Sequence, residues 1–428
     1  MPADTVTVQP RRLVLSGARL FEPTRGNFTE PTSVIMEGDA IIEMRPGTMT
    51  PDGVTHDLVV DARGKHILPG LIDAHFHLVS RSAAVVDDRL ISSGMIEGVV
   101  NARERLEGGV TTVRDAGCRH HGIHELAAAI AAGLIPGPRA FVAGRNPAGP
   151  GAPGHWRNAP VTSADELRTA VRAELAMGAH WVKFILSHAE DPAQWARVTT
   201  FFSAEELRAG IEEAHAHGAR TGVHCEGYEP AALAVRCGID ALDHAPQLDA
   251  ATADLMAARG VHYVPTLWAF TADCGIDLES LSTERADAVR RGQEEHRASV
   301  RRALRAGVTI AAGTDAAGSL PPRDVLVHEM KALADAGLTT AEALRAATVH
   351  AAQVLGQEAR LGEIEPGMAA DLVIVDGDPL RDLSALVRPL LVVSRGRIVV
   401  DNWSPGRSRV APETVPGATA SVTGRWTA

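Results

Sequence analysis

The chain has 428 residues, 45% of them hydrophobic and 22% charged, and its net charge is −11; that length fits a large barrel or sandwich with an accessory unit. The acidic balance argues against nucleic acid or an anionic membrane as partner, no run of about 18 uncharged apolar residues offers a membrane span, and the opening MPADTVTVQP lacks a secretion signal. Cys118, Cys225, Cys237 and Cys274 have no Cys-x-x-Cys spacing and read as reduced thiols of a cytoplasmic protein.

From about Arg11 to Val60, short β-rich runs (Arg12–Leu15, Ser33–Met36, Ala40–Met44, Leu58–Val60) alternate with Gly, Pro and Asp turns, which predicts a small antiparallel sheet. After Pro69, apolar strand-length runs alternate with amphipathic Ala/Arg/Glu-rich stretches, the pattern of repeated βα units. Eight runs follow: Gly70–His77, Val110–Asp115, Arg139–Gly144, Trp181–Leu186, Arg220–Cys225, Ala241–His244, Val261–Leu267 and Thr309–Asp315. Helices are predicted around Met95–Glu107, Ile123–Ala132, Ala164–Met177, Ala204–His217, Glu229–Cys237, Ala250–Arg259, Glu284–Ala306 and Asp324–Ala336. The expected class is α/β, a (β/α)8 TIM barrel over 68–363. An extra helix, Ala341–Leu355, precedes a return to strands at Asp371–Val375, Pro389–Ser394 and Arg397–Val400. The two chain ends, 1–67 and 364–428, are expected to pair into one small β-sandwich, with a loose Pro/Gly/Ser-rich tail after Asn402.

Active sites of such barrels lie at the C-terminal ends of the strands, and that rule sorts the 18 histidines. His66, His180 and His262 fall at strand starts and read as structural. His75 and His77 end the first run two residues apart, so they leave one strand face about 7 Å apart at Cα. His224 ends the fifth run, His244 the sixth and Asp315 the eighth, while Lys183 lies within the fourth. Imidazole and carboxylate suit zinc and its neighbours. Lysine as an ammonium has no lone pair to offer a metal, so Lys183 fits a metal pair only as a carbamate formed with CO2. Alone, Lys183 reads as a snorkelling rim residue and Asp315 as a helix cap; their joint occurrence favours a metal site.

The set His75-x-His77, Lys183, His224, His244 and Asp315 resembles the amidohydrolase superfamily of metal-dependent hydrolases on a distorted TIM barrel. The flanks PGLIDAHFHL, GVTTVRDAG, EAHAHGARTGVHCEG, GIDALDHAP, AAGTDAAG and LGEIEPGMAADLVIVDGDPL agree, and the likeness runs from Val14 to Val400. Val182-Lys183-Phe184 and the Glu-Gly after His224 are similar to the imidazolonepropionase-like and Xaa-Pro dipeptidase-like branch with a binuclear site. The resemblance implies two divalent ions, expected to be Zn²⁺. His75, His77 and Asp315 would hold the more buried ion, His224 and His244 the second, and carbamylated Lys183 would bridge them. It implies a hydroxide held between the ions as nucleophile and Asp315 as proton shuttle to the leaving nitrogen.

The chain departs from that branch in its loops. Ser187-His188-Ala189-Glu190-Asp191 stands where a Gly-rich loop is usual, Ala152-Pro153-Gly154-His155 replaces Gly-Gly-His, and His120-His121 has no counterpart. His155 is a candidate to polarise the substrate carbonyl or bind its carboxylate, Arg145 a candidate anion site, and Tyr228 a candidate substrate contact. The leading function is hydrolysis of an amide-type C–N bond in a dipeptide, an N-acyl amino acid or a cyclic amide. An ester or lactone hydrolase, a deaminase (against which Lys183 counts) and a non-catalytic scaffold are the alternatives. A small-molecule substrate and a homo-oligomer are the expected partners.

Overall fold

The structure, a computed structural model, describes residues 12–50, 57–79, 88–152, 159–189, 198–271, 278–317 and 321–403. His155, Cys274 and the tail after 403 lie outside them.

Seven of the eight expected strands form parallel ladders. Leu71–Phe76 pairs with Val110–Asp115, which pairs with Arg139–Val142. Trp181–Ile185, Arg220–Cys225, Ala241–His244 and His262–Val264 follow one another in a second sheet, edged by two-residue strands at Pro147–Ala148 and Ala159–Pro160. Every residue of Leu71–Phe76, Val110–Asp115 and Trp181–Ile185 is buried, as in a sheet covered on both faces.

The eighth run, Thr309–Asp315, is not a regular strand. Isolated bridges tie it to both sheets, Tyr263 with Ile310 and Phe76 with Ala316. The N–H groups of Thr314 and Asp315 both donate to His75 O, at 3.0 and 2.7 Å, and Asp315 takes a φ of 49°. A parallel ladder cannot continue through two donors on one carbonyl and a left-handed residue. Gly313 permits the close approach, since a Cβ there would lie 2.5 Å from Val264 Cγ1 and 2.8 Å from His75 Cβ. Arg139–Val142 and Trp181–Ile185 share no ladder either, so among the described residues the ladders do not close into the expected barrel.

Helices cover the strands at Asp88–Glu107, Gly122–Ala131, Ala164–Ala176, Ala204–Ala216, Tyr228–Cys237, Ala250–Arg259, Thr283–Ala306 and Val325–Asp335. Their ends follow local chemistry. Ser203 and Glu206 form a capping box, and Gly238, Gly260 and Gly307 end helices in the left-handed conformation. The single helix expected over Ala341–Leu355 is two, Thr340–Ala346 and Val349–Leu355, split at Thr348, whose φ of −134° and ψ of −100° are not helical.

Both chain ends enter one nine-stranded sheet. Its order is Arg397–Asp401, Leu391–Ser394, Leu372–Val375, His66–Pro69, Leu13–Glu22, Thr32–Glu37 and Ala40–Pro46, with two further strands on Leu13–Glu22. The ladders link these strands into one hydrogen-bonded sheet, which does not by itself establish the expected sandwich, and it is mixed where the N-terminal part was expected to be antiparallel. Leu13–Glu22 is ten residues long, so Leu13–Ser16 pairs in parallel with Leu58–Asp61 while Arg19–Leu20 pairs in parallel with His66–Ile67. Leu15, Ile67, Leu372 and Ile374 pack into this sheet's own apolar cluster.

Candidate metal centre

His75 lies in the Leu71–Phe76 strand and His77 just past its end, with ring centroids 5.5 Å apart. Asp73, on the same strand, accepts from Thr314 Oγ1 at 2.7 Å and Thr314 N–H at 3.0 Å. That pins the 313–315 turn to the strand and brings Asp315 over both imidazoles: Asp315 Oδ1 lies 3.3 Å from His75 Nε2 and 3.2 Å from His77 Nε2. The His244 ring stands 4.8 Å from that of His75 and 4.4 Å from that of His224.

Asp243 and His244 are neighbours on one strand, and alternation would send their side chains to opposite faces. They do not diverge. His244 has a φ of 68°, which turns its ring back, so His75 meets Asp243 Oδ2 at 3.4 Å on one side and the His244 ring on the other.

Proton bookkeeping sets the state of two imidazoles. Thr266 Oγ1 donates its one proton to Pro265 O at 2.6 Å, so toward His244 Nδ1, 2.8 Å away, it can only accept. Nδ1 therefore carries the hydrogen and Nε2 is a bare lone pair; that atom is buried and has no hydrogen-bond partner. His77 Nδ1 faces Gly117 O at 2.8 Å. A carbonyl only accepts, so His77 Nδ1 carries a hydrogen, and Nε2 faces the Asp315 oxygen at 3.2 Å. The bare Nε2 of His244 and the Asp315 carboxylate are both electron-pair donors, and such a set suits a cation. The donor set fits a divalent metal.

The Lys183 ammonium contacts Asp243, which also accepts from Arg114 Nη1 at 3.1 Å. All three are buried. Burial pushes Lys183 down to about 8 against the pull of Asp243, and the two cations hold Asp243 well below the usual carboxylate range despite its burial. Burial also drives His224 down to about 4 and His244 well below its ordinary value, keeping both neutral and ligand-competent.

The expected ligands converge, but not as one tight set. Donor atoms of His75, His244 and Asp315 lie within 4.8 Å of one another, and those of His188, His224 and Glu226 do so separately. Glu226 Oε1 lies 3.1 Å from His188 Nδ1 and 3.6 Å from His224 Nε2. Tyr228 donates its hydroxyl to Glu295 at 2.8 Å. Arg145 is held by Glu174 through its backbone N–H and Nε, both at 3.0 Å, with His121 Nε2 at 3.1 Å from the same carboxylate. The guanidinium proposed for a substrate anion already faces an internal one. His66 packs edge-on to Phe28, His180 Nδ1 accepts from Val142 N–H, and His262 starts its strand; all three stand apart from the cluster.

Sequence reasoning missed Asp243, Thr266, Tyr263, His296 and Glu226. Asp243 adjoins a candidate ligand, and ordinary strand alternation would set the two on opposite faces; Tyr263, Thr266 and His296 are placed only by tertiary contacts.

The profile described as "Amidohydrolase family" matches residues 66–399. Ochratoxinase of Aspergillus niger is 29% identical over 391 residues, 82% of this chain and 77% of that protein. A crystal structure of a Xaa-Pro dipeptidase with bound methionine superposes with a TM-score of 0.79 at 25% identity, covering 90% of this chain and 99% of that one. A prolidase complexed with N-methylphosphonate-L-proline superposes with a TM-score of 0.77 at 29% identity, covering 91% and 99%. No helix among the described residues is long and apolar enough to cross a membrane.

Proposed function

This chain belongs to the amidohydrolase family and is a hydrolase acting on carbon–nitrogen bonds, and from that premise we propose that it cleaves the amide-type bond of an N-acyl amino acid, a dipeptide or a cyclic amide. The observation that carries the reading is the gathering of His75, His77 and His244 about the Asp315 carboxylate, with donor atoms of His75, His244 and Asp315 within 4.8 Å of one another. The related prolidase complex, with an N-substituted proline, supports an N-acylated amino acid as the substrate class. The strands are read as the family's (β/α)8 barrel over 68–363, with 1–67 and 364–428 as the composite unit beside it.

In this reading His75, His77 and Asp315 would hold one divalent ion, His224 and His244 would hold the other, and Lys183, converted to a carbamate, would serve both. When bound, the ions, taken as zinc, supply a water acidified toward neutral pH and a Lewis acid for the scissile carbonyl. Carbamate formation needs a neutral amine, which the buried position of Lys183 favours. Asp315 takes the proton of the attacking water and delivers it to the leaving nitrogen, so that the C–N bond breaks to an acid and an amine. Thr266 fixes the tautomer of His244, and Gly117 O that of His77. His155, outside the described residues, is retained as the substrate-contacting loop histidine. Tyr228 and Arg145 can contribute only by giving up part of their bonding to Glu295 and Glu174.

The test is a panel of N-acyl amino acids, Xaa-Pro dipeptides, lactams, esters and lactones, run with metal analysis on protein purified without chelator. Near two divalent ions per chain and turnover of amide substrates are expected, with Asp315→Asn folding normally but at least about 10²-fold slower. Turnover confined to esters and lactones, or full activity with one ion or fewer, overturns the reading.

A further inference from the structure

Among the described residues only five besides glycine have positive φ, and three of them, His244 (68°), Ala245 (34°) and Thr266 (56°), form one corner of the site. Side chains with a Cβ avoid this region, most of all a β-branched residue such as Thr266. Such a corner persists only where its surroundings over-determine it.

The restraints are visible. The Tyr263 hydroxyl shares its one proton between His244 O at 3.1 Å and Ala245 O at 3.0 Å, and His296 Nε2 lies 3.0 Å from His244 O. Tyr263 and His296 are themselves fully buried, one on the neighbouring strand and the other on the long helix Thr283–Ala306. Two elements from different parts of the chain thus grip the carbonyls of two consecutive strained residues. The carbonyl accepts, so His296 carries its hydrogen on Nε2. The proposed chemistry gives neither side chain a role.

We propose that Tyr263 and His296 are positioning residues that clamp the His244–Ala245 corner and thereby set the affinity of the site for one of its divalent ions. The inference rests on the reading of His244 as a metal ligand. Without the clamp the corner can relax toward ordinary strand geometry, where alternation carries the His244 ring away from His75 and Asp315. The hydrogen bond from His244 Nδ1 to Thr266 would be lost with it, and with that bond the tautomer that leaves Nε2 bare.

The experiment is titration of the metal-depleted full chain with Zn²⁺, with Co²⁺ absorption spectra as a report on ligand geometry and the melting temperature of the metal-free protein as a report on stability. His244→Ala should lose one ion. Tyr263→Phe and His296→Phe should retain two sites but bind one ion about 10-fold or more weakly, with a changed Co²⁺ spectrum. His296→Gln, whose amide nitrogen can occupy the place of Nε2, should recover most of the affinity. Val300→Ala, a core truncation on the same helix, should lower the melting temperature of the metal-free protein without weakening either ion. If Tyr263→Phe and His296→Phe bind both ions as the wild type does while His244→Ala loses one, the clamp is overturned. If His244→Ala keeps both ions, the ligand reading itself fails. Equal weakening by Val300→Ala would reduce the effect to general loosening and also overturn the clamp. Should Tyr263→Phe not fold, the contrast between the two His296 variants decides.

Discussion

At the scale of single residues, the chemistry is governed by which lone pairs are left over. His244 gives Nδ1 to Thr266 and keeps Nε2 bare, while His77 gives Nδ1 to Gly117 O. Lys183 is the opposite case, a cation buried on the Asp243 carboxylate. An ammonium there would repel incoming divalent ions, so its conversion to a carbamate should be a condition of binding both. Lys183→Ala should lose most activity and one equivalent of metal, and short carboxylic acids should restore part of both by standing in for the bridge. Wild-type rate and metal content in that variant would remove the carbamate. His75-x-His77 was legible because a period of two needs no tertiary information, whereas Asp243 was not, because the turn at His244 that brings both residues to one face is itself a product of long-range bonding.

Single elements carry their own titration. Glu329, on the Val325–Asp335 helix and fully buried, accepts from the N–H groups of Leu267 and Trp268 at 3.1 and 2.7 Å and so caps the short helix that follows Thr266. Burial pushes its carboxyl up to about 8, although those two donors pull the other way. In the unfolded chain the group titrates near 4.5, so between that pH and about 8 the folded state holds a proton that the unfolded state has released. Stability from this group is therefore highest below the lower value and falls as pH rises. Melting temperatures of the metal-free wild type should decline relative to those of Glu329→Gln between about pH 5 and 8, and the two should run parallel below about pH 4. Parallel curves across the whole range would show that the carboxylate is ionised in the fold. The strand lengths read from sequence erred most at the eighth run, since no local pattern reveals that two N–H groups will share His75 O.

For the whole molecule, the connection between the parallel sheets and the mixed sheet is made by charge as well as apolar packing. Arg139, at the start of its strand, donates to Asp371 at 2.6 Å and also contacts Asp39, and Asp371 accepts from Arg395 N–H at 2.7 Å. Three stretches remote in sequence meet there. Arg139→Met would leave Asp371, 5% exposed, without its main cation and should cost about 3 kcal/mol in denaturant unfolding. Turnover per folded molecule should stay near wild type, because the junction touches none of the expected ligands; a selective loss of metal would show instead that the junction shapes the site. By itself the sequence determined the alternation of strands and helices, the caps that end them and the histidines that finish strands, because periods of 2 and 3.6 and capping chemistry act within a few residues. Only the tertiary structure decided the single mixed sheet, the broken eighth strand and the partners of Tyr228 and Arg145. The left-handed corner at His244 belongs to the same class: its strain is offset by donors from Tyr263 and His296, and a bond between residues 52 apart leaves no local trace in the chain.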